Sequence, residues 1–83
     1  MTSTERITTA CRLVENTLLH KNRLYGDSAF KPLRVFSKAD ATEQIRVRID
    51  DKLSRIARGE EAGEDTILDL AGYLILLLAA RTA

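Results

Sequence analysis

One aspartate interrupts the longest apolar run of this 83-residue chain, and its neighbours set what chemistry the chain can hold. Asp69 lies within residues 67–80, and Asp65 stands one helical turn before it, so on a helix both carboxylates share a face. A carboxylate in apolar surroundings is costly unless it meets a cation, a metal or several hydrogen-bond donors. Gly72 follows on the same side. Inside a helix it costs about 1 kcal/mol relative to alanine, which points to something approaching closely there. Two readings fit these residues. In one, Asp65 and Asp69 hold a magnesium ion. In the other, Asp69 makes a structural salt bridge to an arginine or lysine of the preceding helix, and Gly72 marks a helix crossing.

Candidate cations precede them. Arg48, Lys52 and Arg55 recur at i, i+4 and i+7, which places them on one strip of a helix. At 100° per residue Lys52 falls at roughly −20° from Ile45, beside an apolar seam that spans roughly 0° to 80°. Guanidinium forks with an ammonium beside them suit phosphate groups, and the alternative is a solvated flank with long stems lying on apolar surface. A third cluster, residues 20–28, is polar and dense where a helix should break. Tyr25 is suited to stacking on a base or sugar, and Ser28 with the backbone amides near Gly26 to holding phosphate oxygens. A plain helix terminus with exposed charges accounts for the same residues. His20 has no partner in the sequence that would make it a catalytic base, and Glu15 would join the acidic group only weakly.

These residues require helices to position them. The first helix is predicted over about 4–24, capped by Ser3 or Thr4, with Ile7, Cys11, Val14, Leu18 and Tyr25 at helical spacing and Gly26 as its stop. Residues 27–38 fit no period and are expected to form an ordered loop anchored by Phe30, Leu33, Val35 and Phe36. The second helix is predicted over about 40–58, with Ile45, Ile49, Leu53 and Ile56 as its seam and Gly59 ending it. After a turn at 60–63, a third helix runs over about 64–80, with Glu64 and Asp65 at its positive end. It is apolar on every face. Two helices cannot surround it, so the predicted fold is an all-α three-helix domain assembled into a homo-oligomeric bundle, each added buried leucine contributing roughly 1.5–3 kcal/mol before association costs.

Composition narrows the function classes. A length of 83 residues is one domain, 45% hydrophobic and 30% charged residues is a globular balance, and a net charge of +1 suits neither a DNA-coating basic protein nor an acidic mimic. Nucleic acid is therefore not an expected partner. Cys11 stands alone, so no internal disulfide forms, no Cys/His zinc cluster exists, and a reducing, cytoplasmic setting is expected. The first residues are polar and lack a signal-peptide core, and residues 67–80 fall short of the roughly 20 needed to span a bilayer. No membrane association is expected.

Three strings, KNRLYGDS (21–28), RIDDKLSRI (48–56) and EDTILDLAGY (64–73), resemble in order the nucleotide modification associated domain family of phages and prophages. The resemblance covers about residues 14–80 and implies a context in phage nucleotide metabolism. More loosely, the chain is similar to the all-alpha nucleoside triphosphate pyrophosphatases, in which carboxylates from two neighbouring helices surround magnesium. Asp65 and Asp69 would stand for that family's second acidic pair. The second helix departs from the pattern, with Asp50 and Asp51 among arginines in place of two glutamates one turn apart.

The sequence thus leads to a helical protein that binds a nucleotide or nucleotide-derived molecule, expected at a subunit interface. Arg48, Lys52 and Arg55 would meet phosphates, Tyr25 and Ser28 would contact the rest of the ligand, and Asp65 and Asp69 would hold magnesium or orient the basic side chains. A magnesium-dependent pyrophosphatase-like enzyme and a structural oligomerisation adaptor are the alternatives.

Overall fold

Side-chain caps set where the helices start in the computed structural model, which describes residues 1–60 and 65–81. These residues form α1 (Ser3–Leu24), α2 (Ala41–Arg58) and α3 (Thr66–Ala80), with no strand among them, so the chain is all-α. Thr2 caps α1, in place of Ser3 or Thr4. Its Oγ1 accepts from the Glu5 N–H at 3.1 Å, and the Glu5 carboxylate reaches back to the Thr2 N–H and hydroxyl. Only Thr2 has a glutamate three residues on, which is what this reciprocal cap needs. Asp40 caps α2, accepting from the Glu43 N–H at 2.8 Å. Asp65 caps α3 in the same way, so that helix begins at Thr66. The predicted helix start at Glu64 and the turn at 60–63, apart from Glu60, lie outside the described residues.

Two glycines end helices as the sequence implies. Gly26 (φ 59) follows the α1 cap Tyr25, and Gly59 (φ 71) closes α2 by donating its N–H to the Arg55 and Ile56 carbonyls. Asp27 continues in the left-handed region (φ 68), so the chain turns sharply after α1.

α3 is central. It packs along α2 and crosses α1, whereas α1 and α2 have no close backbone approach among the described residues. The inward row of α2 is Ile45, Ile49, Lys52 and Ile56, at spacings of four, three and four. Leu53, predicted to lie in that seam, is about half exposed, and Lys52 takes its place. Ile45 is the one apolar side chain fully buried among the described residues. The other apolar expectations meet the same openness. Leu33, Val35 and Phe36 lie on the surface and anchor nothing, and α3 keeps Ile67, Leu74, Ile75 and Leu78 substantially exposed. No helix among the described residues is long and apolar enough to cross a membrane.

Gly72 is buried where α3 meets α1, and a Cβ added there would lie 3.2 Å from Leu18 Cδ2. The glycine is thus a crossing point. In Gly72→Ala the gain in helix propensity, about 1 kcal/mol, is offset by a small shift of the flexible Leu18 tip, and stability should stay within about 1 kcal/mol of the parent. Gly72→Val, with two further methyls against Leu18, should lower it by about 1–3 kcal/mol. Urea unfolding separates them. Equal midpoints for Gly72→Val and the parent would remove the crossing-point role.

Candidate functional site

The first turn of α3 carries Asp69 to the junction of all three helices. Its Oδ1 lies 3.6 Å from Lys21 Nζ of α1, and its Oδ2 lies 3.5 Å from Lys52 Nζ of α2. Lys52 is 8% exposed, so its stem fills the α2 seam while its ammonium faces the carboxylate. Lys21, with a side chain 53% exposed, stays open to solvent. The position of Asp69 near the helix N-terminus also places its negative charge favourably against the α3 dipole. Of the two readings of Asp69, the salt bridge to a lysine of the preceding helix is the one realised. A second lysine, from α1, joins it.

Beside this triad lies a cleft of ≈ 270 Å³ between α1 and α2, floored by α3. Val14, Thr17, Leu18, Lys21 and Asn22 form the α1 wall, and Gln44, Ile45 and Arg48 the α2 wall. Leu68, Asp69, Gly72, Tyr73 and Leu76 make the floor, and the turn after α1 brings Tyr25, Ser28 and Ala29 to one end. The Gln44 amide is held by donating to the Ala39 carbonyl at 2.9 Å. A small glycine at the crossing and the separation of α1 from α2 together leave this space.

The predicted site residues divide. Tyr25, Ser28, Arg48 and Asp69 line the cleft together. Arg48 is exposed and makes no ion pair among the described residues. Lys52 belongs to the triad. Arg55 lies outside the cleft lining and pairs with Asp51 Oδ2 at 3.2 Å on the flank of α2. The expected strip of three phosphate-facing cations is therefore split, because Lys52 rotates inward while Arg55 meets an acid on its own helix. Neither His20 nor Glu15 lines the cleft.

Asp65 is engaged by its cap, accepting from the Leu68 N–H at 3.0 Å, and each oxygen of Asp69 faces an ammonium group. Magnesium takes a near-octahedral set of oxygens. Among the described residues no group of three or more His, Cys, Asp or Glu side chains is placed to hold a metal. The donors present at Asp65 and Asp69 do not fit that ion.

Sequence reasoning passed over Thr17, Gln44 and Tyr73 as site residues, and it placed Lys21 and Asn22 in the polar cluster at 20–28 without a role of their own. Lys21 carried a signal, since it continues the α1 stripe Val14–Leu18 at i+3 and is a cation on an otherwise apolar face. The chain matches no protein-family model, no curated protein and no solved structure.

Removing the shared carboxylate should be felt by the fold. Asp69→Ala takes away the negative charge facing a buried ammonium, and unfolding free energy should fall by about 2–3 kcal/mol, somewhat less than for a wholly buried pair. The double variant Lys52→Met, Asp69→Leu should recover most of that loss, since an apolar pair of similar volume replaces a buried ion pair at little cost. Chemical denaturation of the three proteins is the check. A midpoint unmoved by Asp69→Ala would show that the triad contributes nothing.

Proposed function

We propose that the cleft between α1 and α2 binds a phosphate-bearing nucleotide or nucleotide-derived molecule. The observation that carries this reading is Arg48, an exposed guanidinium on the cleft wall with no carboxylate partner among the described residues. Arg48 on the wall and the half-exposed Lys21 opposite it give the cleft two solvent-facing cations. A guanidinium fork beside an ammonium group matches the oxygens of a phosphate. Tyr25 at one end and Tyr73 on the floor offer aromatic faces for a base, and the hydroxyls of Thr17 and Ser28 with the Asn22 amide offer hydrogen bonds to a sugar. The volume, ≈ 270 Å³, lies just below the usual range for small-molecule sites.

The resemblance of the three strings to the phage nucleotide modification associated family supports the same reading, and the proposal places the chain in the cytoplasm, where an exposed lone thiol, Cys11, stays reduced. Self-association belongs to this proposal too, although the cleft is built by the three helices of one chain. Holding is favoured over cutting. Pyrophosphate hydrolysis needs charge neutralisation at the leaving group and a carboxylate to position water. Here Asp65 caps a helix and Asp69 answers two lysines.

Thermal unfolding in the presence of nucleosides and their mono-, di- and triphosphates tests the proposal. Phosphate-bearing nucleotides at about ten times their Kd should stabilise the chain by about 1.4 kcal/mol, a rise of roughly 5–10 °C for a domain of this size. Arg48→Ala should weaken binding at least about tenfold, the loss of one charge-assisted hydrogen bond, while leaving the unliganded Tm unchanged. Absence of a shift with every nucleotide, or a shift indifferent to Arg48→Ala, would leave the cleft without this role and favour a structural adaptor. Steady pyrophosphate release with magnesium, lost in Asp69→Asn, would overturn binding without turnover.

A further inference from the structure

α3 turns Asp69, Gly72 and Leu76 toward the cleft, and its opposite side is largely open to solvent, with Leu74 and Leu78 bordering a shallow groove beside Arg46 of α2 and Arg81. Ile67, Leu74 and Leu78 there are each at least half exposed, and Ala71 lies between them. Their spacing is four, three and four residues, which makes a single stripe along a helix. No charged residue belongs to it.

The chain as a whole has surface to lose. Its accessible area is 6498 Å², against about 5,000 Å² for a compact protein of its mass, and its radius of gyration is 14.1 Å where about 12 Å is usual for its length. The surplus of roughly 1,500 Å², to which the exposed residues Leu33, Val35 and Phe36 also contribute, leaves room for the ~800 Å² per partner of an ordinary interface. A fold in which Ile45 is the one fully buried apolar side chain among the described residues has little to set against the conformational entropy of ordering its helices.

We infer that a second copy of this chain covers the outer stripe of α3, through an antiparallel, twofold pair of α3 helices. The spacing four-three-four reads the same in both directions, so a twofold axis passing between positions 72 and 73 sets every stripe residue against another. Ile67 then opposes the partner's Leu78, and Leu74 opposes the partner's Ala71. A large side chain meeting a small one lets the two helices approach closely and interdigitate. An uncharged apolar stripe is the composition of an obligate interface, and a self-complementary one selects an identical partner over a foreign chain. Because this stripe lies across α3 from Asp69 and Gly72, pairing leaves the cleft open. The inference does not depend on what the cleft binds.

Light scattering of the full chain at micromolar concentration tests it, with an expected mass twice the 9.3 kDa of one chain. Leu74→Lys should reduce the mass to that of a single chain, while Val47→Lys, at an exposed site on α2, should leave it unchanged. Should Leu74→Lys not fold, disulfide trapping decides the matter in a Cys11→Ser background. Ala71→Cys chains refolded with Leu74→Cys chains should form a covalent dimer, and Ala71→Cys with Val47→Cys should not. A single-chain mass for the parent, an assembly untouched in folded Leu74→Lys, or trapping no better at 71/74 than in the control would overturn the pairing.

Discussion

The arrangement of the three helices depends on one carboxylate shared by two ammonium groups. α1 has no buried residue and no close approach to α2, so little but α3 holds it in place. Asp69 reaches both neighbours at once, and beside it the Gly72–Leu18 contact allows α1 to come close. A carboxylate and a buried lysine would each be costly alone in this position. Together they tie α3 to both of its neighbours at one point.

The same constraint shapes the cleft. Lys21 keeps a solvent-facing side beyond its contact with Asp69, and Arg48 on the facing wall adds a second exposed cation. The tie that positions the walls therefore also biases the space between them toward anions. It works against metal chemistry for the same reason, since the oxygens a cation would need already face ammonium groups.

Polar specification and apolar burial are divided between the two sides of α3. The cleft side carries the charges and the glycine, and the outer side carries bare aliphatic residues. Few apolar side chains are enclosed by one chain, so the charges fix the fold within the subunit. The aliphatic surface is where the remaining hydrophobic free energy is available.

The sequence alone determined the elements. Helical spacing on α1 and α2, the left-handed stops at Gly26 and Gly59, and the absence of strand patterning follow from local geometry, as does the low net charge. It also held both readings of Asp69 and Gly72, among them the salt bridge and the crossing that the structure adopts. What it left open is what tertiary placement sets. Lys52 and Leu53 sit on either side of the α2 seam, and a rotation of the helix by a few tens of degrees decides which is buried; that rotation is fixed by α3. Asp65 is a face residue if the helix starts before it and a cap if it starts after, and only the observed start at Thr66 makes it a cap. Lys21 and Asp69 are 48 residues apart in the chain and 3.6 Å apart in space. No local period records that distance, because it arises from how three helices cross.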